Sequence, residues 1–169
     1  MRRVEGFTLI ELMITVAVLA VLLVAAAPAM TDMVLNNRMA GLSNDLMSDL
    51  AIARSEALKR GQRVVLCKNA GNDSSCSTGL WADGWLLYID ANNDTALTGG
   101  ETILRVRQAL PSGYTVTPTG IMETLVVRPV GMVTPTGTFK ICDQRTGNFG
   151  RLITISAGGR ASSAPAACP

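Results

Sequence analysis

The sequence predicts an α+β fold in which one long N-terminal helix precedes an antiparallel β domain. Three observations predict it. Residues 1–30, MRRVEGFTLIELMITVAVLAVLLVAAAPAM, carry one charge after Glu5, that of Glu11. Apolar residues then recur at steps of three and four as far as Ala57, the period of an amphipathic helix. From Val64 the period falls to two, and the links fill with Gly, Asn, Pro and Ser. Short strands after a single helix point to antiparallel sheet rather than βαβ units.

The apolar run covers residues 7–27 and is interrupted only by Thr8, Glu11 and Thr15. About 20 apolar residues, each rising ~1.5 Å, span a hydrocarbon core. Neither Gly nor Pro falls inside the run, so it reads as helix. Arg2 and Arg3 on the short leading segment orient the N-terminus towards the cytoplasm and the bulk of the chain outside. Glu11 is the exception in this pattern. A carboxylate inside an apolar helix costs about 2.5–3.5 kcal/mol on insertion. No Lys or Arg lies within a turn or two of it, so the compensating cation has to come from elsewhere. A free α-amine on another copy would serve, which predicts cleavage that exposes a new N-terminus near Glu11. Two plainer readings are an ordinary single-span anchor and a secretory signal cut within residues 25–29, Ala-Ala-Ala-Pro-Ala. Pro28 directly after Ala27 is a poor context for that cut.

Beyond Pro28, Leu35, Met39, Leu42, Leu46, Leu50, Ala53 and Ala57 form one apolar stripe. Asn37, Arg38, Asn44, Asp45, Asp49, Arg54 and Lys59 fill the other faces. Lys59 and Arg60 suit a helix C-terminus, and Gly61 suits a left-handed cap. Residues 7–60 thus read as one helix of roughly 80 Å. Pro28 cannot donate to the Val24 carbonyl and should kink or loosen it. Strands are expected at 63–68, 84–90, 101–107, 114–117, 125–129, 138–143 and 151–156. Turn chemistry separates them at 69–73, 92–94, 98–100, 111–113, 135–137 and 158–159. The tail, 161–169, is expected to be loose unless Cys168 ties it down.

The chain of 169 residues has room for one domain besides the apolar segment. Its net charge is +2, and loss of Arg2, Arg3 and Glu5 would leave 13 basic and 12 acidic residues, net +1. That balance favours neither nucleic acid nor an acidic partner. The absence of histidine excludes histidine triads, histidine metal ligands and the usual proton carrier near neutral pH. No nucleophile has a visible base and no Gly-rich phosphate loop appears, so neither catalysis nor a cofactor is expected. Cys67, Cys76, Cys142 and Cys168 are an even set, and an exported domain meets oxidising conditions, so they read as two disulfides. Three pairings exist. Cys67–Cys76 with Cys142–Cys168 is favoured because each closes a polar or terminal excursion from a strand. Zinc is disfavoured because no CxxC spacing occurs.

Asp90, Asn92, Asp94 and Glu101 occupy positions 1, 3, 5 and 12 of a calcium-loop spacing. Thr95 stands where that loop needs glycine, and the flanks read as strands, so a polar turn explains the same residues. Trp81 and Trp85 bracket Asp83-Gly84 and read as core packing.

The stretch Gly6-Phe7-Thr8-Leu9-Ile10-Glu11, after a short basic leader, resembles the processing signal of type IV pilins and type II secretion pseudopilins. The resemblance implies that a prepilin peptidase cuts after Gly6 and methylates Phe7. It implies that Glu11 pairs with a neighbouring subunit's amine during assembly, and Pro28 falls where such helices often loosen. The divisions implied are leader 1–6, transmembrane and assembly helix 7–30, amphipathic helix 31–61 and globular β domain 62–169. Ala53-Arg54-Ser55-Glu56-Ala57, Gly84-Trp85, Glu101-Thr-Ile-Leu-Arg105 and Gly150-Arg151-Leu-Ile-Thr-Ile-Ser156 are similar to the GspH/FimT branch. That branch implies two antiparallel sheets packed on the second half of the helix. It also implies a non-catalytic minor pilin in the inner membrane and then the pilus, with other minor and major pilins as partners. A GspH-like pseudopilin and a FimT-like DNA receptor are the alternatives. For the last, Lys140, Arg145, Arg151 and Arg160 are the cations that could meet phosphates, against which stand Asp143 and the near-neutral net charge.

Overall fold

A computed structural model describes residues 6–69, 75–76, 78–121 and 123–169, with only the backbone described at 25 and 27–29. Helix α1 runs Leu9–Arg60. It starts two residues later than the apolar pattern because Thr8 caps it. The Thr8 Oγ1 accepts the Glu11 amide at 3.3 Å, and the Thr8 carbonyl accepts the Leu12 amide at 3.2 Å. At the far end Gly61 is left-handed, φ +64°, and its amide donates to the Ala57 carbonyl at 3.0 Å. The backbone is helical through Pro28; the loosening expected there concerns a ring outside the described residues. The leader residues Arg2 and Arg3 also lie outside them.

The chain comprises two compact units, Met1–Arg38 and Met39–Pro169. In the first, the large apolar side chains described between Phe7 and Val24 are all exposed, from 55% upward. Among the described residues, no helix is long and apolar enough to cross a membrane. Residues 9–24, whose side chains are all described, rise only about 24 Å against a core of ~30 Å.

The second unit is built on two antiparallel sheets. Its strands are β1 Arg63–Lys68, β2 Trp85–Asp90, β3 Ile103–Arg107, β4 Thr115–Thr119 and β5 Thr124–Val127. There follow β6 Val133–Thr134, β7 Gly137–Cys142, β8 Gly147–Ile155 and β9 Ala161–Cys168. One sheet has the order β3-β2-β1-β5-β6 and the other β4-β7-β8-β9. A 3-10 turn, Trp81–Asp83, leads into β2. The β1 register, Val64 opposite Ile89 and Leu66 opposite Leu87, lays one apolar face on the core.

Met39, Leu46, Leu50, Ala53 and Ala57 of α1 join Leu66, Leu87, Leu125, Phe139, Ile141 and Ile153 in the main core. Small Ala53 and Ala57 let the helix approach the sheets closely. Trp81 and Trp85 are buried, and Trp81 stacks edge-on to Phe139 at 4.7 Å. A second cluster, Val65, Cys67, Leu86 and Tyr88, occupies the other face of the five-stranded sheet, with Leu97, Val106 and Val126 packed on it. This is why every residue of β2 is buried.

Two strands lie outside the sequence expectation, and Asp49 departs from it too. β6 is two residues long, too short to show a period. Cys168 ties the tail down through its bond to Cys142, and the segment forms β9, which was not among the expected strands because ASSAPAAC holds no β-branched or aromatic residue. Its Pro165 is tolerated because β9 is the edge of its sheet. Asp49 is fully buried instead of lying on a solvated face.

Candidate functional site

The N-terminal segment offers its chemistry to the outside. Gly6 is exposed with nothing within 4 Å of where a Cβ would stand. Phe7 is 77% exposed. Glu11 is exposed in the first helical turn, with no ion pair among the described residues. The helix N-terminus itself favours an acid at that position, but it leaves the carboxylate free to meet a cation on another molecule. The Thr8-x-x-Glu11 spacing is a capping signature that the residues alone could have revealed.

The polar loop after β2 draws its acids together. Single oxygens of Asp90, Asp94 and Glu101 lie within 4.8 Å of one another. Asp90, buried at the end of β2, accepts the Asp94 amide at 3.1 Å and the Thr95 amide at 3.3 Å. Glu101 accepts the amides of Ala91 and Thr98, both at 3.0 Å. Asn92 donates to Asp94 at 2.8 Å. Thr95 adopts φ +60°, the left-handed geometry that the spacing required of a glycine.

The four late cations do not converge. Lys140 stands opposite Leu152, whereas Arg151 stands opposite Ile141, so the two side chains leave opposite faces of their sheet. Arg145 is held by Asp143, with Nε at 3.0 Å and Nη2 at 2.7 Å, and lies 4.2 Å over the Phe149 ring. Arg160 belongs to the β8–β9 turn and lines a cleft of about 490 Å³ with Leu50, Arg54, Leu58 and Gly159. Disulfides join Cys67 to Cys76 and Cys142 to Cys168.

One polar node gave no signal in the sequence. The buried Asp49 carboxylate accepts the Trp85 indole N–H at 2.9 Å. It also accepts Arg107 Nε at 2.8 Å and Nη2 at 3.2 Å. Arg107 reaches Asp45 as well, at 3.2 Å. The node fastens α1 to β2 and β3, and with Arg105 Nε at 4.0 Å from Asp49 its two acids face two cations.

Residues 42–159 match the family model of the type II transport protein GspH. Residues 1–27 match the prokaryotic N-terminal methylation motif. The crystal structure of the type IV minor pilin FimU of Pseudomonas aeruginosa is similar, with TM-score 0.57 and 21% identity over 76% of this chain and 90% of that one. The minor pseudopilin EPSH from the type II secretion system of Vibrio cholerae is similar at TM-score 0.55 and 12% identity, over 79% of this chain and 99% of that one. At these identities the likeness is one of fold. Comparison with curated protein sequences returns no significant match.

Proposed function

The chain belongs to the GspH family of type II transport proteins and begins with a prokaryotic N-terminal methylation motif, and from that premise we propose that it is a minor pilin of a type IV pilus. In this reading prepilin peptidase cuts between Gly6 and Phe7 and methylates the Phe7 amine. The apolar helix first anchors the chain in the inner membrane with the β domain in the periplasm. It then leaves the bilayer by packing against the helices of other pilins. Glu11 sets the register by meeting a neighbour's terminal amine in a medium where an unpaired carboxylate is costly. The protein catalyses nothing; it helps start or cap the fibre and displays its β domain outward.

The observation that carries this reading is the one acid within an apolar, exposed helical surface that a methylation motif spans. Lipid or neighbouring helices have to cover such a surface, and a neighbour's terminal amine is the cation this reading assigns to Glu11. The match of residues 42–159 to the GspH model favours a second reading, a pseudopilin of type II secretion. DNA capture is not adopted, because Lys140 and Arg151 leave opposite faces of their sheet and Arg145 is engaged with Asp143.

The test is fibre incorporation. Glu11→Ala is expected to be processed normally yet to be depleted from sheared fibres, and normal incorporation would refute the role given to Glu11. Replacing Gly6 by a bulky residue should leave the unprocessed chain in the membrane fraction. Twitching and protein secretion, scored side by side in a deletion strain, separate the two readings.

A further inference from the structure

We propose that the cleft between α1 and the β8–β9 turn docks an acidic peptide segment of an adjacent subunit, one with an apolar side chain beside its acids, and that Arg54 and Arg160 receive the carboxylates. The adjacent subunit as source rests on the fibre reading above; the chemistry of the cleft does not.

The floor of the cleft is one stripe of α1. Met47, Leu50, Ala51, Arg54 and Leu58 line it, and their steps of three and four place them on a single helix face. Gly159 and Arg160 of the β8–β9 turn form a wall. That turn is closed on itself: the Gly159 amide donates to the Ser156 carbonyl at 2.9 Å and the Arg160 amide to Ser156 Oγ at 3.2 Å. The β5–β6 turn lies against it and is closed too, the Gly131 amide donating to the Arg128 carbonyl at 2.8 Å. A Cβ on Gly159 would stand 2.6 Å from the Gly131 carbonyl oxygen and 3.3 Å from Arg54 Cδ, and one on Gly131 would stand 3.2 Å from Arg54 Nε. The Arg54 stem is therefore packed against both turns, and the cleft is shaped before a partner arrives, which lowers the ordering cost of binding.

The lining holds two cations and no acid. Among the described residues, no ion pair joins either guanidinium to a carboxylate. Arg54 is partly buried, so its charge is screened less than that of a fully solvated arginine. Around these charges the surface is apolar. Leu58 is exposed, and so are Val130 and Met132, which flank Gly131 in the neighbouring turn. Arginine and methionine are enriched where proteins meet, while lysine and acids are depleted there. A carboxylate accepts forked bonds from a guanidinium, and an apolar neighbour on the same segment covers Leu50 and Leu58. A nucleic-acid backbone would find the cations but bring nothing apolar to the rim, so a peptide is the better fit. The volume, about 490 Å³, suits a few side chains.

Fluorescence anisotropy tests this with the full-length chain in nonionic detergent and a short labelled peptide carrying one Leu between two Glu. The expected result is saturable binding with Kd of about 1 mM or tighter, weakened by salt. Arg160→Gln should weaken it about tenfold, the factor that a charge-assisted hydrogen bond supplies. Arg54→Gln should do the same, with Tm read alongside because its stem packs on the turns. The peptide with Gln in place of both Glu should not bind. Absence of binding at several times that concentration overturns the proposal, as does equal affinity for the Gln peptide or unchanged affinity in Arg160→Gln. Tighter binding of a duplex oligonucleotide than of the Glu peptide also overturns it. In cells, Arg160→Glu should be processed at Gly6 yet depleted from sheared fibres, whereas Arg160→Lys should be retained. Equal recovery of Arg160→Glu and the unaltered chain overturns the adjacent subunit as occupant. Absence of the unaltered chain from the fibres refutes the fibre reading instead, and peptide binding then decides the cleft by itself.

Discussion

Asp49 shows how much one side chain contributes to this molecule. It is an acid on a helix face that packs against apolar sheets, and it is fully buried. Trp85 and Arg107 satisfy both of its oxygens. Removing one partner of a buried pair leaves the other uncompensated, at a cost of 3–5 kcal/mol. Arg107 keeps about a quarter of its side chain in water, so Asp49→Ala should cost about 3 kcal/mol in urea unfolding, at the low end of that range. Asp49→Asn should cost less, since its amide oxygen still accepts the indole N–H. Equal losses for the two variants would show that the charge, and not the Trp85 hydrogen bond, carries the node.

Among the elements, β9 depends most on a covalent tie. Most of its residues are exposed, it is an edge strand, and its sequence has little intrinsic preference for extension. Its backbone pairing with β8 and the Cys142–Cys168 bond, which closes a separation of 26 residues, hold it in place. Loop-closure entropy gives that bond about 3.5 kcal/mol. Cys142→Ser with Cys168→Ser should therefore lower stability by about 3 kcal/mol and speed hydrogen exchange across 161–168. Exchange in β1 and β2, which are buried, should change far less. A β9 that stays fully protected would show that the ladder to β8 is sufficient. At Gly150 the same bond leaves little room, because a Cβ there would lie 2.6 Å from the Cys168 sulfur.

For the whole molecule, stability should form a plateau between an acid and an alkaline limb. Burial would raise the Asp143 carboxyl, but hydrogen bonds from the Arg145 side chain and amide outweigh it and hold the group below its ordinary range. A hydrogen bond from Arg60, opposed by burial and aided by the charges of Arg60 and Lys59, likewise lowers Glu56. Groups lowered on folding stabilise above their unfolded pKa and lose that contribution as pH falls through the folded value. Tm should therefore fall below about pH 4, less steeply in Asp143→Asn. Tyr88 is raised by burial first, so its contribution is present below pH 10.0 and lost above it. A Tm that is flat from pH 5 down to 2 would remove the role given to the Asp143 and Glu56 pairs.

The order of elements was written in local pattern. The change of period from 3.6 to 2 placed the end of the helix at Arg60 and β1 at 63–68, and Gly61 marked the cap between them. Patterns of this kind are local because backbone geometry repeats over a few residues. The spacing of Asp90, Asn92, Asp94 and Glu101 was legible for the same reason. Tertiary structure alone decided the rest. β9 became a strand because β8 and Cys142 lie beside it, not because its residues favour extension. Asp49 became an interior residue because Trp85 and Arg107, distant in sequence, supply donors that a helical pattern cannot announce. Tyr88 became an interior residue because Leu97, Val106 and Val126 pack on the outer face of its sheet. In each case the free energy of a polar or weakly structured group depends on partners far along the chain, and only the folded arrangement specifies them.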